Sequence, residues 1–334
     1  MGILHWDVTE AANLTRFYNA EFQQLPYCYP VTPEEFELGF RYQEEKDEPY
    51  EMLSHEHLIV GEQGGELVGF VHVAVWHKGQ EVDSRIGRHP VEEILEDRVG
   101  LILFFHYRSG HRQIGQALLE AAEQYLLDLG AHQIRAFSYY GYRFHRFNRA
   151  FLCDALLHVC GLFRLNGYRI TRGSILLELP HFVVSPPVAL DEAVVVRTEQ
   201  KPGRGFLPNV EVKLFRGDQR IGHGLAVSAG HYCRALEAQR TLYIPHFSIE
   251  GSPMGSIVSE GEQGKGLGRY MMQALLWETR QVGYMDATLY VSMSNPRPQV
   301  FYANMGYQVV DTSYQWFKDL SQDLPLSLYK EVGF

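Results

Sequence analysis

Seven consecutive residues in the second half of the chain, Gln263, Gly264, Lys265, Gly266, Leu267, Gly268 and Arg269, follow an apolar strand end at Ile257–Val258 and open an amphipathic helix. The first N–H groups of a helix lack intrahelical partners and point out along the positive end of its dipole. Glycines at that point let a diphosphate approach the bare backbone, and Lys265 and Arg269 add cationic flanks. With Val258, these seven are the candidate cofactor-binding residues of the second half. Arg112, Ile114, Gly115, Gln116 and Ala117 repeat the arrangement in the first half, after a strand over Leu101–Tyr107 and with Gly110 to Gly115 read as the turn. Further along, Asn295 follows the strand LYVSMS, and Tyr302 precedes Gly306–Tyr307. Glu250 and His246, upstream of the second glycine turn, are carboxylate and imidazole candidates for a proton acceptor, Glu250 the preferred one. Two nucleotide motifs do not fit. Gly264, Gly266 and Gly268 lack the G-x-G-x-x-G spacing of a dinucleotide fold, and Lys265 is followed by Gly266 where a P-loop needs Ser or Thr.

Elements of the same kind, in the same order, must hold both sets of residues. HLIVGEQGGELVGFVHVAVW and VEVKLFRGDQRIGHGLAVS each read as strand, tight turn, strand, with Gly69 and Gly222 in the same hairpin place. Each glycine turn then opens a helix that ends at Gly130 or Gly283, followed by a strand, a short helix ending in Gly167–Tyr168 or Gly306–Tyr307, and a last strand. The order hairpin, strand, helix, strand, helix, strand occurs twice. Two helices, around Leu14–Gln24 and Thr32–Gln43, precede the first copy and have no counterpart before the second. Pro180, Pro186 and Pro187 break the pattern, so the boundary falls near 187: residues 1–186 form one domain and 187–334 the other.

The runs Gln263 to Gly268 (Q-x-x-G-x-G) and Arg112 to Ala117 (R-x-x-G-x-A), each between a strand and a helix, resemble the acetyl-CoA loop of the GNAT N-acetyltransferase superfamily. Asn295, Tyr302 and the Y-x-x-x-G-[FY] spacing add the family's second signature. The duplication is similar to that of tandem GNAT proteins of the mycothiol synthase kind. The resemblance implies an α/β (α+β) fold of two domains, each a mixed, splayed, mostly antiparallel sheet flanked by helices. It implies acetyl-CoA as the acyl donor, transfer to a primary amine by direct attack in a ternary complex, Asn295 against the pantetheine arm and Tyr302 as general acid. The first half has Phe163 where the second has Tyr302, and no clean Asn before its short helix. Its catalytic motif is degenerate, so the second half is expected to carry the chemistry.

Composition bounds the alternatives. Of 334 residues 46% are hydrophobic and 21% charged, which is globular, and the net charge of −10 disfavours nucleic acid and anionic membrane surfaces as partners. No apolar run spans a bilayer, the N-terminus lacks signal-peptide character, and four cysteines without CxxC spacing indicate a reduced, cytoplasmic setting. The histidines lack zinc-site spacing, so no metal is expected. Cys153 and Cys160 read as core thiols on one helix. The acceptor is expected to be a small-molecule amine. A CoA-binding sensor or structural module without chemistry is the alternative, and FSYYGYRFHRFNRAF, with Arg135, Arg143, Arg146 and Arg149, raises an RNA- or anion-binding module as the rival from another class.

Overall fold

The computed structural model describes residues 2–6, 10–41, 53–77, 98–137, 142–149, 151–190, 192–249 and 266–320. Two compact units divide it. Unit 1 holds residues 1–173 and 312–334, and unit 2 holds residues 174–311.

Unit 1 is a mixed sheet with helices on both faces. Its strands β1 (Gly2–Trp6), β2 (Leu53–Gln63), β3 (Glu66–His77) and β4 (Arg98–Tyr107) pair antiparallel in that order, and β4 then pairs parallel with β5 (Gln133–Ala136). Two helices, α1 (Ala11–Phe22) and α2 (Pro33–Arg41), separate β1 from β2. Thr32 and Glu35 start α2 with a reciprocal capping box, each side chain bonding the other's N–H at 3.2 Å, and Pro33 supplies a helical φ at the first position. Helix α3 (Arg112–Asp128) joins β4 to β5 and buries Ile114, Leu118, Leu119, Ala122 and Leu126. Gly61 and Gly69 are close-approach positions: a Cβ on either would fall within 3 Å of Ile114 or Leu118. After β5 come the two-residue strand β6 (Leu152–Cys153), α4 (Leu157–Leu165) and β7 (Arg169–Leu179). All four cysteines are buried, and Cys153 lies on β6 while Cys160 lies on α4, so the single helix expected for the two is corrected.

Unit 2 repeats the sheet. Strands β8 (Val194–Lys201), β9 (Asn209–Arg216), β10 (Gln219–Ser228) and β11 (Thr241–Ile249) pair antiparallel, and β11 pairs parallel with β12 (Asp286–Ser292). Helix α5 (Leu267–Gln281) and helix α6 (Pro296–Asn304) precede and follow β12, and β13 (Gln308–Asp319) ends the described chain. The core collects Val210, Val212 and Leu214 from β9 with Met271, Leu275 and Leu276 from α5.

The last strand of each unit is not the one that follows it in the duplicated order. In unit 1 the strand beside β5 is residues 316–319 of β13, antiparallel, with Ser313 and Tyr314 pairing β6. In unit 2 the strand beside β12 is Ser174–Leu179 of β7. Trp316, 1% exposed, lies 6.0 Å from the Phe163 ring, and Lys318 holds Glu123 of α3 at 2.7 Å. Among the described residues no helix is long and apolar enough to cross a membrane.

This exchange makes a prediction about fragments. Residues 1–186 alone lack Trp316, Phe317 and the partner strand of β5, and should give no native near-UV circular dichroism or amide protection. In the whole chain, Trp316→Ala should lower unfolding free energy by about 3–5 kcal/mol, read by denaturant titration.

Candidate active site

Each unit contains one parallel strand pair, short in unit 1 and parting in unit 2. β4 bonds β5 only over Val99–Ile102, although it runs on to Tyr107. β11 bonds β12 only over Thr241–Tyr243, although it runs on to Ile249. Near the end of each parallel pairing the antiparallel register slips, with Leu103 extra on β4 and Ile244–Pro245 bulged on β11. A bulge bends and twists its strand, which turns the far end of β11 away from β12. Proline is tolerated at such a point because no ladder bond is lost. In unit 2 both β11 and β12 run on past their last pair, to Ile249 and Ser292, so the expected splay is present there, whereas in unit 1 β5 is paired along its whole length.

In unit 2 the described part of the helix start begins on a left-handed glycine. Gly266, exposed, is the N-cap of α5 with φ +79°, and its carbonyl accepts from the Tyr270 N–H at 3.0 Å. The left-handed φ disfavours any side chain there. Gly268 is half-buried and a Cβ on it would make only ordinary contact, 3.5 Å, with Phe301. Arg269 is exposed, while Leu267 is buried in the core. Glu250, Val258, Gln263, Gly264 and Lys265 lie outside the described residues. Asn295 is the N-cap of α6, ahead of Pro296, yet its side chain makes no capping bond. Tyr302 on α6 is 6% exposed, its ring 5.0 Å from Phe301 and 5.2 Å from Tyr307. Burial pushes its hydroxyl well above the usual tyrosine range, so it stays a proton donor at neutral pH.

In unit 1 the same places are filled. Arg112 is exposed at the start of α3, Ala117 is half-buried and Ile114 is core. Gly115 lies within the first turn of α3, which corrects its expected place in the turn before the helix, and its N–H already donates to the His111 carbonyl at 3.1 Å. A Cβ on it would stand 2.5 Å from the Tyr107 ring. The Gln116 amide is bonded to Asn166 at 2.8 Å and Glu120 at 2.9 Å. Tyr107 and His158 of α4 are locked reciprocally: the hydroxyl donates to the His158 carbonyl at 3.0 Å, and His158 Nε2 meets the Tyr107 carbonyl at 2.8 Å. Phe163, fully buried against Tyr168 at 4.6 Å, holds the place that Tyr302 holds against Tyr307.

Sequence reasoning missed a buried polar cluster on the other face of β4. His106, 1% exposed, has Nε2 at 3.3 Å from Glu21 of α1, which also accepts from Arg108 at 3.0 Å. Burial lowers the His106 pKa more than Glu21 raises it. Within the aromatic-arginine stretch, Arg135 and Arg146 are buried and so are not surface contacts for RNA.

A model of the acetyltransferase (GNAT) family matches residues 15–146 and 189–307. The chain belongs to the GNAT family. No curated protein sequence matches it. Among solved structures it is similar to a tandem GNAT protein from the clavulanic acid biosynthesis pathway, at TM-score 0.64 and 11% identity over 97% of this chain and 99% of that one. A GCN5-related N-acetyltransferase from Sphaerobacter thermophilus matches at TM-score 0.57 and 14% identity over 98% of each chain. A glucosamine N-acetyltransferase region of a fungal multi-domain β-N-acetylglucosaminidase matches at 0.61 and 14% over 95% of this chain and 38% of that one. At these identities the likeness shows the fold. GNAT enzymes generally use acetyl-CoA as acyl donor and act on small-molecule or protein amines, so the family points to N-acetyltransferase activity.

Two predictions follow from these contacts. Gly115→Ala should cost about 1–3 kcal/mol of stability, because the Tyr107 ring is anchored through its hydroxyl and cannot swing away. Gly268→Ala should be neutral or stabilise by up to about 1 kcal/mol, both read by urea unfolding. Unit 1 should also be acid-sensitive. The folded pKa of His106 lies below its unfolded value near 6.5, so the unfolded state binds the proton first and stability declines as pH falls through that range. Glu21, lowered chiefly by its bond to His106, adds its own loss only below its ordinary value of 4.5. His106→Phe should flatten the decline between about pH 6.5 and 5, measured by thermal melts across pH.

Proposed function

We propose that the protein is an acetyl-CoA-dependent N-acetyltransferase that acts on a small primary amine by direct attack in a ternary complex, with the second half as its catalytic part. The observation that carries this reading is the Phe163–Tyr302 difference at one place in two otherwise parallel units: only the second half has a hydroxyl at that position. The N–H groups from Gln263 to Arg269, with Lys265 and Arg269 as cations, hold the pyrophosphate of CoA, and Val258 borders its arm. Asn295, whose amide is not spent on capping, reaches the pantetheine amides. Tyr302 protonates the leaving thiolate. The acceptor nitrogen must be neutral to attack, and a base upstream of the second glycine turn, Glu250 or His246, takes its proton. Arg112, Ile114, Gly115, Gln116 and Ala117 form a second helix start in a unit whose role is cofactor-binding or structural. The chain acts without metal, nucleic acid or membrane, in the cytoplasm.

Calorimetry with acetyl-CoA followed by thiol-release assays over a panel of small amines tests this reading. Turnover is expected, and binding without turnover for any amine would point to a CoA sensor instead. Tyr302→Phe should lower kcat about 10²-fold with little change in CoA affinity. Gly266→Glu should abolish CoA binding at unit 2 by setting a carboxylate against the pyrophosphate. Because a side chain at Gly115 would strike Tyr107, Arg112→Glu is the matching change in unit 1, and it should leave turnover intact.

A further inference from the structure

Strand register sets three pairs of residues at equivalent places in the two units. Gly69 faces Tyr107 as Gly222 faces Ile249, and from those anchors Phe70 with His106 and His72 with Phe104 correspond to His223 with Ser248 and Leu225 with His246. In unit 1 Phe70 and Phe104 stack at 5.2 Å, and Phe17 and Phe22 of α1 close over them at 5.9 and 5.4 Å. In unit 2 the same two places hold imidazoles, with ring centroids 4.9 Å apart and His246 exposed. The two α-helices described in unit 2 lie on the opposite face. Gly222 and Gly224 look onto Met271 and Leu275 of α5, and Phe301 of α6 stacks on Phe247 at 6.2 Å. A phenyl pair under a helix has therefore become an imidazole pair on a face that no described helix covers, with polar neighbours built to hold it. Ser248 Oγ lies 3.0 Å from His246 Nε2, and Glu211 Oε1 lies 2.8 Å from His223 Nε2. Glu211 is itself braced by Lys201 at 2.7 Å and Lys213 at 3.0 Å.

We propose that His246 takes the proton from the acceptor amine, with Ser248, His223 and Glu211 as its positioning residues and the amine bound on the face of unit 2 opposite α5. The inference rests on the transferase reading and replaces Glu250 in the role of base. Its geometric ground is the alternation along β11 past Tyr243, where the strand no longer pairs with β12. Phe247 points to the α6 side, where it stacks on Phe301, whose ring is 5.0 Å from Tyr302, and His246 points to the other, so the two proton-handling groups lie on opposite faces of β11. The steps balance. The acceptor ammonium gives one proton to the His246 imidazole, and its freed lone pair forms the C–N bond to the thioester carbonyl carbon while the C–S bond breaks. The departing sulfur takes the Tyr302 proton, the second proton lost by nitrogen restores Tyr302, and one proton leaves through His246 to solvent. From the strands packed beside it, His246 faces His223 of β10, Glu211 and Lys213 of β9 and, beyond them, Lys201 and Glu199 of β8. Glu211 stays a carboxylate throughout the working range, since Lys201, Lys213 and His223 hold it down at about 2.

The test uses the full chain with acetyl-CoA and the best amine from the panel. His246→Ala should lower kcat 10²- to 10⁴-fold, abolish the acidic limb of its pH profile, leave acetyl-CoA binding by calorimetry unchanged and regain activity with added imidazole. His223→Gln should move the acidic limb without abolishing it, a change that lost packing alone would not produce. His223→Phe with His246→Phe, which restores the unit 1 pair, should fold and bind acetyl-CoA but not turn over. A His246→Ala enzyme with the wild-type pH profile, or a Glu250→Gln enzyme that alone loses the acidic limb, overturns the assignment and leaves the transferase reading standing. Wild-type protein that binds acetyl-CoA and acetylates no amine overturns both.

Discussion

Backbone groups that leave a ladder must find partners or water, since an unmade hydrogen bond in a buried place costs about 1–3 kcal/mol. The demand arises in unit 1 where β5 ends beside β4 and in unit 2 where β11 and β12 part. Unit 1 answers it with protein: Phe137 donates its N–H to Ile102 at 2.8 Å, and His158 reaches the Tyr107 carbonyl from α4. That second bond fixes more than one carbonyl. With the return bond from the Tyr107 hydroxyl it pins the first turn of α4 to β4 and holds the Tyr107 ring flat against α3. Gly115 and Gly69 follow from it, because a Cβ at either would meet Tyr107 at 2.5 or 2.8 Å.

Unit 2 keeps the backbone and changes the filling. Ile249 stands where Tyr107 stands and has no ring to lay on the helix or hydroxyl to pin the following one. Gly266 is left-handed at the helix cap, whereas Gly115 is an ordinary helical residue in a crowded first turn. Glycine is thus needed in both units for different reasons, close packing at Gly115 and a left-handed φ at Gly266. The same packing difference separates Phe163 from Tyr302: Phe163 is fully buried against Tyr168, and Tyr302 carries a hydroxyl at the equivalent place against Tyr307.

Local patterns made much of this legible. Hairpin turns, helix-ending glycines and apolar periodicity located the duplicated elements, and the Tyr302–Gly306–Tyr307 spacing located the end of α6. What sequence left hidden is non-local. β7 and β13 both follow a short helix that ends in Gly-Tyr, and only the packing of Trp316 against Phe163 and of Leu177 in the core of unit 2 decides which strand joins β5 and which joins β12. A glycine at a helix start also does not declare its φ, which is why Gly115 read as a turn residue. His106 and Glu21 are 85 positions apart, and strand register alone brings His223 beside His246.

The two faces of β4 and β11 then explain why duplication gave unlike partners. In unit 1, α1 and α2 cover the face that carries Phe70, Phe104 and His106, and burying His106 there requires Glu21 and leaves Nδ1 without a hydrogen-bond partner. A cluster of that kind rigidifies a fold but admits no water, and a group that must exchange protons with solvent cannot work inside it. In unit 2 the helices before the first sheet strand have no described counterpart, so the equivalent face is wet, its imidazoles exposed or half-buried and its carboxylate braced by two lysines. Among the described residues, the His223–His246 face thus lacks the apolar helical cover that α1 gives unit 1, while α5 and α6 pack against the other face.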